Sequence, residues 1–174
     1  MTKSINLKRL VLGALMAAIV YIFTIVVQIP ISATGGYINL GDVAVLLCSY
    51  LLGGIYGAFA AGLGSALSDL SAGYTIYAPA TFIIKFIMVI AANLISHYTF
   101  KNNRHISMIL AGISSELIMI FGYFIFESIV LGLGISAFAG VFGNLIQSVI
   151  CIVLANSTGL MLIKQLKGRL LESI

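Results

Sequence analysis

Charge is scarce in this chain. Only 8% of its 174 residues are Asp, Glu, Lys or Arg, 61% are hydrophobic, and the mean hydropathy is +1.16. A soluble domain carries roughly 25% charged residues to keep its surface wet. So little charge excludes a water-facing surface and makes lipid the solvent. Nucleotide chemistry is equally unsupported. No G-x-x-x-x-G-K-[ST] phosphate loop occurs, and Gly132-Leu133-Gly134 has no strand before it, as a dinucleotide site would require. Metal-ligand spacings are missing too. Cys48 and Cys151 lie inside apolar runs and read as small packing residues. No Ser, His and acid converge at one depth, so no catalytic set, metal site or cofactor is expected.

What the sequence does have is apolar runs of membrane-crossing length. A span takes roughly 20 residues, so the chain accommodates about six in a single membrane domain, 1–174, with no room for a separate soluble one. The first run reads as a span and not a cleavable leader, since no small-residue cleavage site follows it. Punctuation sets the expected spans: Leu7 to Gln28, a short Asp42 to Leu52, Gly53 to Ser71, a fourth with Pro79 in its first turn ending near His97, Ile106 to Phe126, and Ala137 to Ile163. Pro30 to Gly41 reads as a polar, glycine-rich loop.

The basic residues fall in three clusters. Lys3, Lys8 and Arg9 precede span one. Lys101 and Arg104 separate spans four and five. Lys164, Lys167 and Arg169 follow span six. Six spans put all three clusters on one side, and the positive-inside rule makes that side, with both termini, cytoplasmic. His97 and His105 fall at the same edge and read as interfacial.

Five charges remain in or beside the spans: Asp42, Asp69, Lys85, Glu116 and Glu127. Intramembrane charges are costly and mark function by default. At 1.5 Å per helical residue, Lys85 lies ~10 Å below the outer end of its span, Glu116 ~14 Å, Asn144 ~10 Å and Gln147 ~15 Å. Three helices thus place polar groups in one layer of the outer half. Thr81 shares a face with Lys85, Tyr123 and Glu127 share one with Glu116, and Asp69, Tyr74 and Tyr77 lie above. The expectation is a pocket open to the outside, floored by amides and charges and ringed by tyrosines. Plainer roles are open for several groups. Lys85 and Glu116 could be an ion pair that only fixes packing, Asp42 reads as an N-cap of span two, and Glu127 as wet at the outer interface.

Small residues mark two helices. Span three has Gly53, Gly57, Ala61 and Ser65 in one row and Gly54, Ala58, Gly62 and Ala66 in the next. Span one has Ala14 and Ala18 in an A-x-x-x-A. Either pattern serves internal packing or a flat face for another membrane protein.

Taken together, the Ala14–Ala18 motif, the stretch Gly35-Gly36-Tyr37-Ile38-Asn39-Leu40-Gly41-Asp42, the glycine-rich third span and Tyr77-Ala78-Pro79-Ala80-Thr81 followed by Lys85 resemble the S components of energy-coupling factor (ECF) vitamin transporters. The likeness covers essentially the whole chain and lies in the branch of riboflavin-, hydroxymethylpyrimidine- and pyridoxine-type proteins. It implies an all-α, six-helix membrane bundle in the cell membrane that binds a vitamin from outside. It implies no enzyme activity in this chain, but partnership with a membrane T component and two cytoplasmic ATPases. The T component would dock at Ala14 and Ala18, and Gly35, Gly36 and Tyr37 would belong to a lid. The residues expected to hold substrate are Asn39, Asp69, Tyr74, Tyr77, Thr81, Lys85, Glu116, Tyr123, Asn144 and Gln147. No membrane Arg is available to fork a carboxylate or phosphate. A neutral or weakly basic heteroaromatic ring, hydroxymethylpyrimidine or pyridoxine, therefore fits better than an anionic vitamin, with riboflavin still possible. A stand-alone secondary carrier or a membrane enzyme is the rival from another class; a carrier would show matching broken helices in two halves, and one short span has no evident second copy.

Overall fold

The computed structural model describes residues 2–98 and 103–166. Lys101, Lys167 and Arg169, three of the charges behind the expected orientation, lie outside the described residues. Six helical segments are present: α1 (Thr2–Val26), α2 (Gly41–Leu47, continued by a π-helical turn Cys48–Leu52), α3 (Gly54–Ser71), α4 (Ala78–Tyr98), α5 (Arg104–Ile125, continued by a π-helical turn Phe126–Val130) and α6 (Phe138–Leu166, preceded by a 3-10 turn Gly134–Ala137). Four of them, α1, α4, α5 and α6, are long and apolar enough to cross a membrane. The 18 residues of α3 include many Gly, Ala and Ser, which dilute its apolarity. The segment from Gly41 to Leu52 extends only ~18 Å, short of the ~30 Å hydrocarbon core.

The bundle is apolar outside and polar within. Leu7, Leu10, Val11, Ile129, Phe142 and Val149 all expose their side chains. Every acid among the described residues (Asp42, Asp69, Glu116 and Glu127) is buried, as is Lys85. Lipid has no use for exposed charge and does not penalise exposed leucine, so the pattern is the membrane solution.

Around the ring, α1 packs on α3, α3 on α4, α4 on α5, α5 on α6, and α6 on α2, which returns to α1. The small residues of α3 explain its two close neighbours. A Cβ at Gly64 would collide with the Ala17 carbonyl of α1, and one at Gly62 would come 2.9 Å from Phe82 of α4. A Cβ at Gly57 would lie 2.7 Å from the Cys48 carbonyl. These rows serve internal packing and present no free docking face. Every residue of α2 from Gly41 to Leu47 is buried, so this helix is a core element.

The chain between α1 and α2, expected as a loop from Pro30 to Gly41, has a regular structure of its own. It forms a two-stranded antiparallel hairpin, β1 (Gln28–Ile31) and β2 (Gly36–Asn39), pairing Gln28 with Asn39 and Pro30 with Tyr37. Gln28 therefore belongs to a strand and not to span one. The turn closes through Gly35 N–H to the Ile31 carbonyl at 2.9 Å, with Gly35 at φ +72°. Two four-residue strands offer too few residues for alternation to be read from sequence.

Candidate functional site

The hairpin sits on the end of α2, and Asp42 lies in that helix's first turn. Asp42 is not the N-cap: Leu40 holds that position, and the N–H of the first helical residue, Gly41, is accepted by Asn39 Oδ1 at 2.7 Å. Its carboxylate is fully buried and pairs with Lys85 Nζ from α4. Gln147 of α6 donates its Nε2 to Asp42 Oδ2 at 2.5 Å and accepts the Asn39 N–H of β2 on Oε1 at 2.6 Å. One amide thus ties the ion pair to the hairpin. Lys85 Nζ also lies 5.4 Å from the centre of the Tyr123 ring, a cation–π distance. Tyr123 shares a hydrogen bond with Thr81 at 3.0 Å.

The hairpin is latched from above by tyrosines. Tyr37 donates to Asp69 Oδ1 of α3 at 2.5 Å and packs at a 42° tilt against Tyr74 with ring centres 4.5 Å apart. Burial, then the neighbouring Asp69 carboxyl, pushes the Tyr37 hydroxyl above its ordinary range, so it remains a proton donor. Tyr77 donates to the Thr34 carbonyl at 2.8 Å and lies 3.3 Å from Glu127 Oε1. The Glu127 side chain is buried and not wet: the π-helical turn after α5 carries it inward, over Gly140, where a Cβ would come 2.5 Å from Oε2.

These groups surround a cavity of about 30 Å³, room for roughly two waters. Of the residues expected to hold substrate, Asn39, Asp69, Tyr77, Thr81, Lys85, Tyr123, Asn144 and Gln147 line it, as do the lid residues Gly36 and Tyr37. Two expected members stand apart from its walls. Glu116 lies behind them, where the Ser148 hydroxyl is 3.1 Å from Oε2. Tyr74 backs Tyr37. Gly35 is at the hairpin tip with nothing near its Cα substituent position. The expected Lys85–Glu116 pair is also overturned: α2, packed on α4, offers Asp42 to Lys85 instead.

Sequence reasoning missed Thr24, Ile31 and Ser65 as wall residues, read the Lys85 partner Asp42 as a cap, and placed Glu127 among the pocket charges while leaving open a wet role for it. Thr24 in the middle of an apolar run was a usable signal. Ser65 was hidden in a row of small residues. A larger cavity of about 510 Å³ lies at the opposite end, between Tyr50, Asn93, Arg104 and Ile163, and contains none of the expected substrate residues. Ala14 and Ala18 are exposed on the outer face of α1, in line with Leu7, Val11 and Ile22.

Comparison with known proteins supplies the frame for this geometry. Residues 4–167 match the family model of the ECF-type riboflavin transporter, S component. An uncharacterized protein of Pyrococcus woesei is 33% identical over 153 residues, covering 88% of this chain and 99% of its own length. The thiamine precursor transporter HmpT of Lactococcus lactis subsp. cremoris is 31% identical over 151 residues, covering 86% of this chain and 84% of that protein.

Proposed function

Given that the chain belongs to the S-component family of ECF-type riboflavin transporters, we propose that it captures a vitamin or vitamin precursor from outside the cell for ATP-driven uptake. The observation that carries this reading is the polar cavity beneath the β1–β2 hairpin, walled by α3, α4, α5 and α6 inside a bundle whose exterior is apolar. In this reading the bundle sits in the cell membrane with the chain passing through it six times, α2 as a short segment shielded from lipid by its neighbours, and both termini cytoplasmic, which places the hairpin end outside. A T component engages α1 at Ala14 and Ala18, and two cytoplasmic ATPases provide the hydrolysis that this transport subunit does not perform.

Asn39, Asp69, Tyr77, Thr81, Lys85, Tyr123, Asn144 and Gln147 form the binding walls, Tyr74 and Glu116 support them from behind, and Gly35, Gly36 and Tyr37 belong to the lid. Benzene fits a cavity of about 150 Å³, so a cavity of about 30 Å³ must enlarge to admit an aromatic ring, and in this reading it does so by the hairpin lifting and Tyr37 giving way. Hydroxymethylpyrimidine is the first candidate, supported by the thiamine-precursor transporter among the relatives. Pyridoxine is the second. Riboflavin is the alternative, supported by the description of the family model.

The test is titration calorimetry of the detergent-purified chain with each of the three. Saturable binding of one supports the reading, and failure of all three with folded protein overturns it. Copurification with a T component and two ATPases separates an S component from a stand-alone carrier.

A further inference from the structure

The four buried acids have different fates. Asp42 is consumed by Lys85 and Gln147, and Glu116 stands behind the wall. Asp69 and Glu127 remain on the cavity, and each has one carboxyl oxygen, Oδ2 and Oε2, buried without a hydrogen-bond partner. Ser65, one turn before Asp69 on the same face of α3, lines the same cavity with its hydroxyl likewise unpartnered. All three residues are at least nine-tenths buried. A buried polar atom left unpaired is costly and rare, and here three of them meet one cavity. Among the described residues the one cation on its wall, Lys85, is already committed to Asp42.

We infer that Ser65, Asp69 and Glu127 read the nitrogen edge of the ligand, so that the substrate is a ring carrying an amino group and no acidic group. The inference rests on the transport reading above and narrows its substrate class. Asp69 accepts an N–H from the ring amino group. Ser65, four residues earlier, donates to the adjacent unprotonated ring nitrogen. Glu127, reaching in from the other side beneath Gly36, accepts a second donor such as a hydroxymethyl O–H. A carboxylate or phosphate on the ligand would meet two carboxyls and no free cation. The hydroxyl of Tyr37 already shows what Asp69 selects: a donor at hydrogen-bond distance.

The experiment compares two rings on the purified chain by calorimetry. One is hydroxymethylpyrimidine with its amino group; the other is the analogue with a ring carbonyl in its place, which turns a donor into an acceptor. Wild-type protein is expected to bind the amino ring at least about ten-fold tighter, the effect of one hydrogen bond to a charged group. Asp69→Asn offers an amide donor at the same place, keeps an acceptor for Tyr37, and is expected to shift the preference toward the carbonyl ring. Equal binding of the two rings by wild type overturns the inference while leaving the transport reading intact. So does tight binding of riboflavin with neither pyrimidine bound. Failure of every vitamin ligand overturns the transport reading itself. Should Asp69→Asn fail to fold, Ser65→Ala replaces it: an unchanged amino-ring affinity in that variant contradicts the assignment, and a loss of several-fold supports it.

Discussion

Lys85 of α4 is paired with Asp42 of α2, and Gln147 of α6 closes on the same carboxylate. Three segments far apart in sequence are joined at one buried point. Breaking such a pair from one side leaves the other charge uncompensated and costs ~3–5 kcal/mol. Lys85→Met is therefore expected to lower the thermal unfolding midpoint of the detergent-solubilised protein sharply. Asp42→Asn in the Lys85→Met background removes the stranded charge and keeps an oxygen that can accept from Gln147. It is expected to recover much of the loss. No recovery in the double variant would show that Asp42 is not the relevant partner.

Asn144 and Glu116 are distinguished by position. Asn144 lines the cavity, whereas Glu116 is behind it with Ser148 beside its carboxyl. Losing a neutral hydrogen bond costs on the order of 1 kcal/mol, so Asn144→Ala is expected to weaken ligand binding about five-fold. Glu116→Gln keeps an oxygen near Ser148 and does not touch the wall. It should change affinity by less than about three-fold. Equal losses in the two variants, measured by calorimetry, would bring Glu116 back into the site.

Why the sequence revealed the layer but not the pairings follows from geometry. Depth along a helix is nearly one-dimensional: 1.5 Å per residue from a recognisable end. Lys85, Asn144 and Gln147 could therefore be set at one level without knowing which helices touch. Partnership depends on azimuth and helix order, and neither is written in hydropathy. Asp42 reads as a cap because it follows a glycine at a helix start, although the same first turn buries it against Lys85 and Gln147, two residues of the cavity wall. Glu127 shares a face with Glu116 and Tyr123 by spacing alone; what spacing leaves open at a helix end is burial, and the structure buries this side chain where the sequence also allows a wet one. The hairpin was legible only as a loop, since Pro30 and Gly36 suggest turn chemistry while four residues per strand show no period.

Small residues on α1 and α3 look alike in sequence but face different surroundings, which yields opposite expectations. Gly64 meets the Ala17 backbone directly. Gly64→Ala should destabilise the isolated protein by ~1–3 kcal/mol, as overpacking does. Ala14 and Ala18 are exposed. Ala14→Leu should leave the unfolding midpoint and ligand affinity of the isolated chain unchanged while reducing recovery of the T component in a tagged pull-down. Normal assembly and uptake with Ala14→Leu would remove α1 from the docking face.

The hairpin is held at three places: Gln147 to Asn39, Tyr37 to Asp69, and Tyr77 to Thr34. In the proposed lid role, opening breaks some of these, and their strength would set the rate at which ligand enters and leaves. Tyr37→Phe keeps the ring on Tyr74 but removes the latch to Asp69. Its off-rate is expected to rise by about ten-fold, the equivalent of one charge-assisted hydrogen bond. Gly36→Val acts in the opposite sense. Even a Cβ there would come 3.3 Å from Glu127 Oε1 and 3.4 Å from both Thr34 Oγ1 and the Tyr77 hydroxyl. The two further methyls of valine have nowhere to go in the closed hairpin. Gly36→Val should therefore prevent full closure and weaken binding through a faster off-rate, with the on-rate little changed. Stopped-flow quenching of tyrosine fluorescence separates the two rates. Wild-type on- and off-rates in both variants would mean that the hairpin is a fixed roof, and that the ligand reaches the cavity between the helices instead.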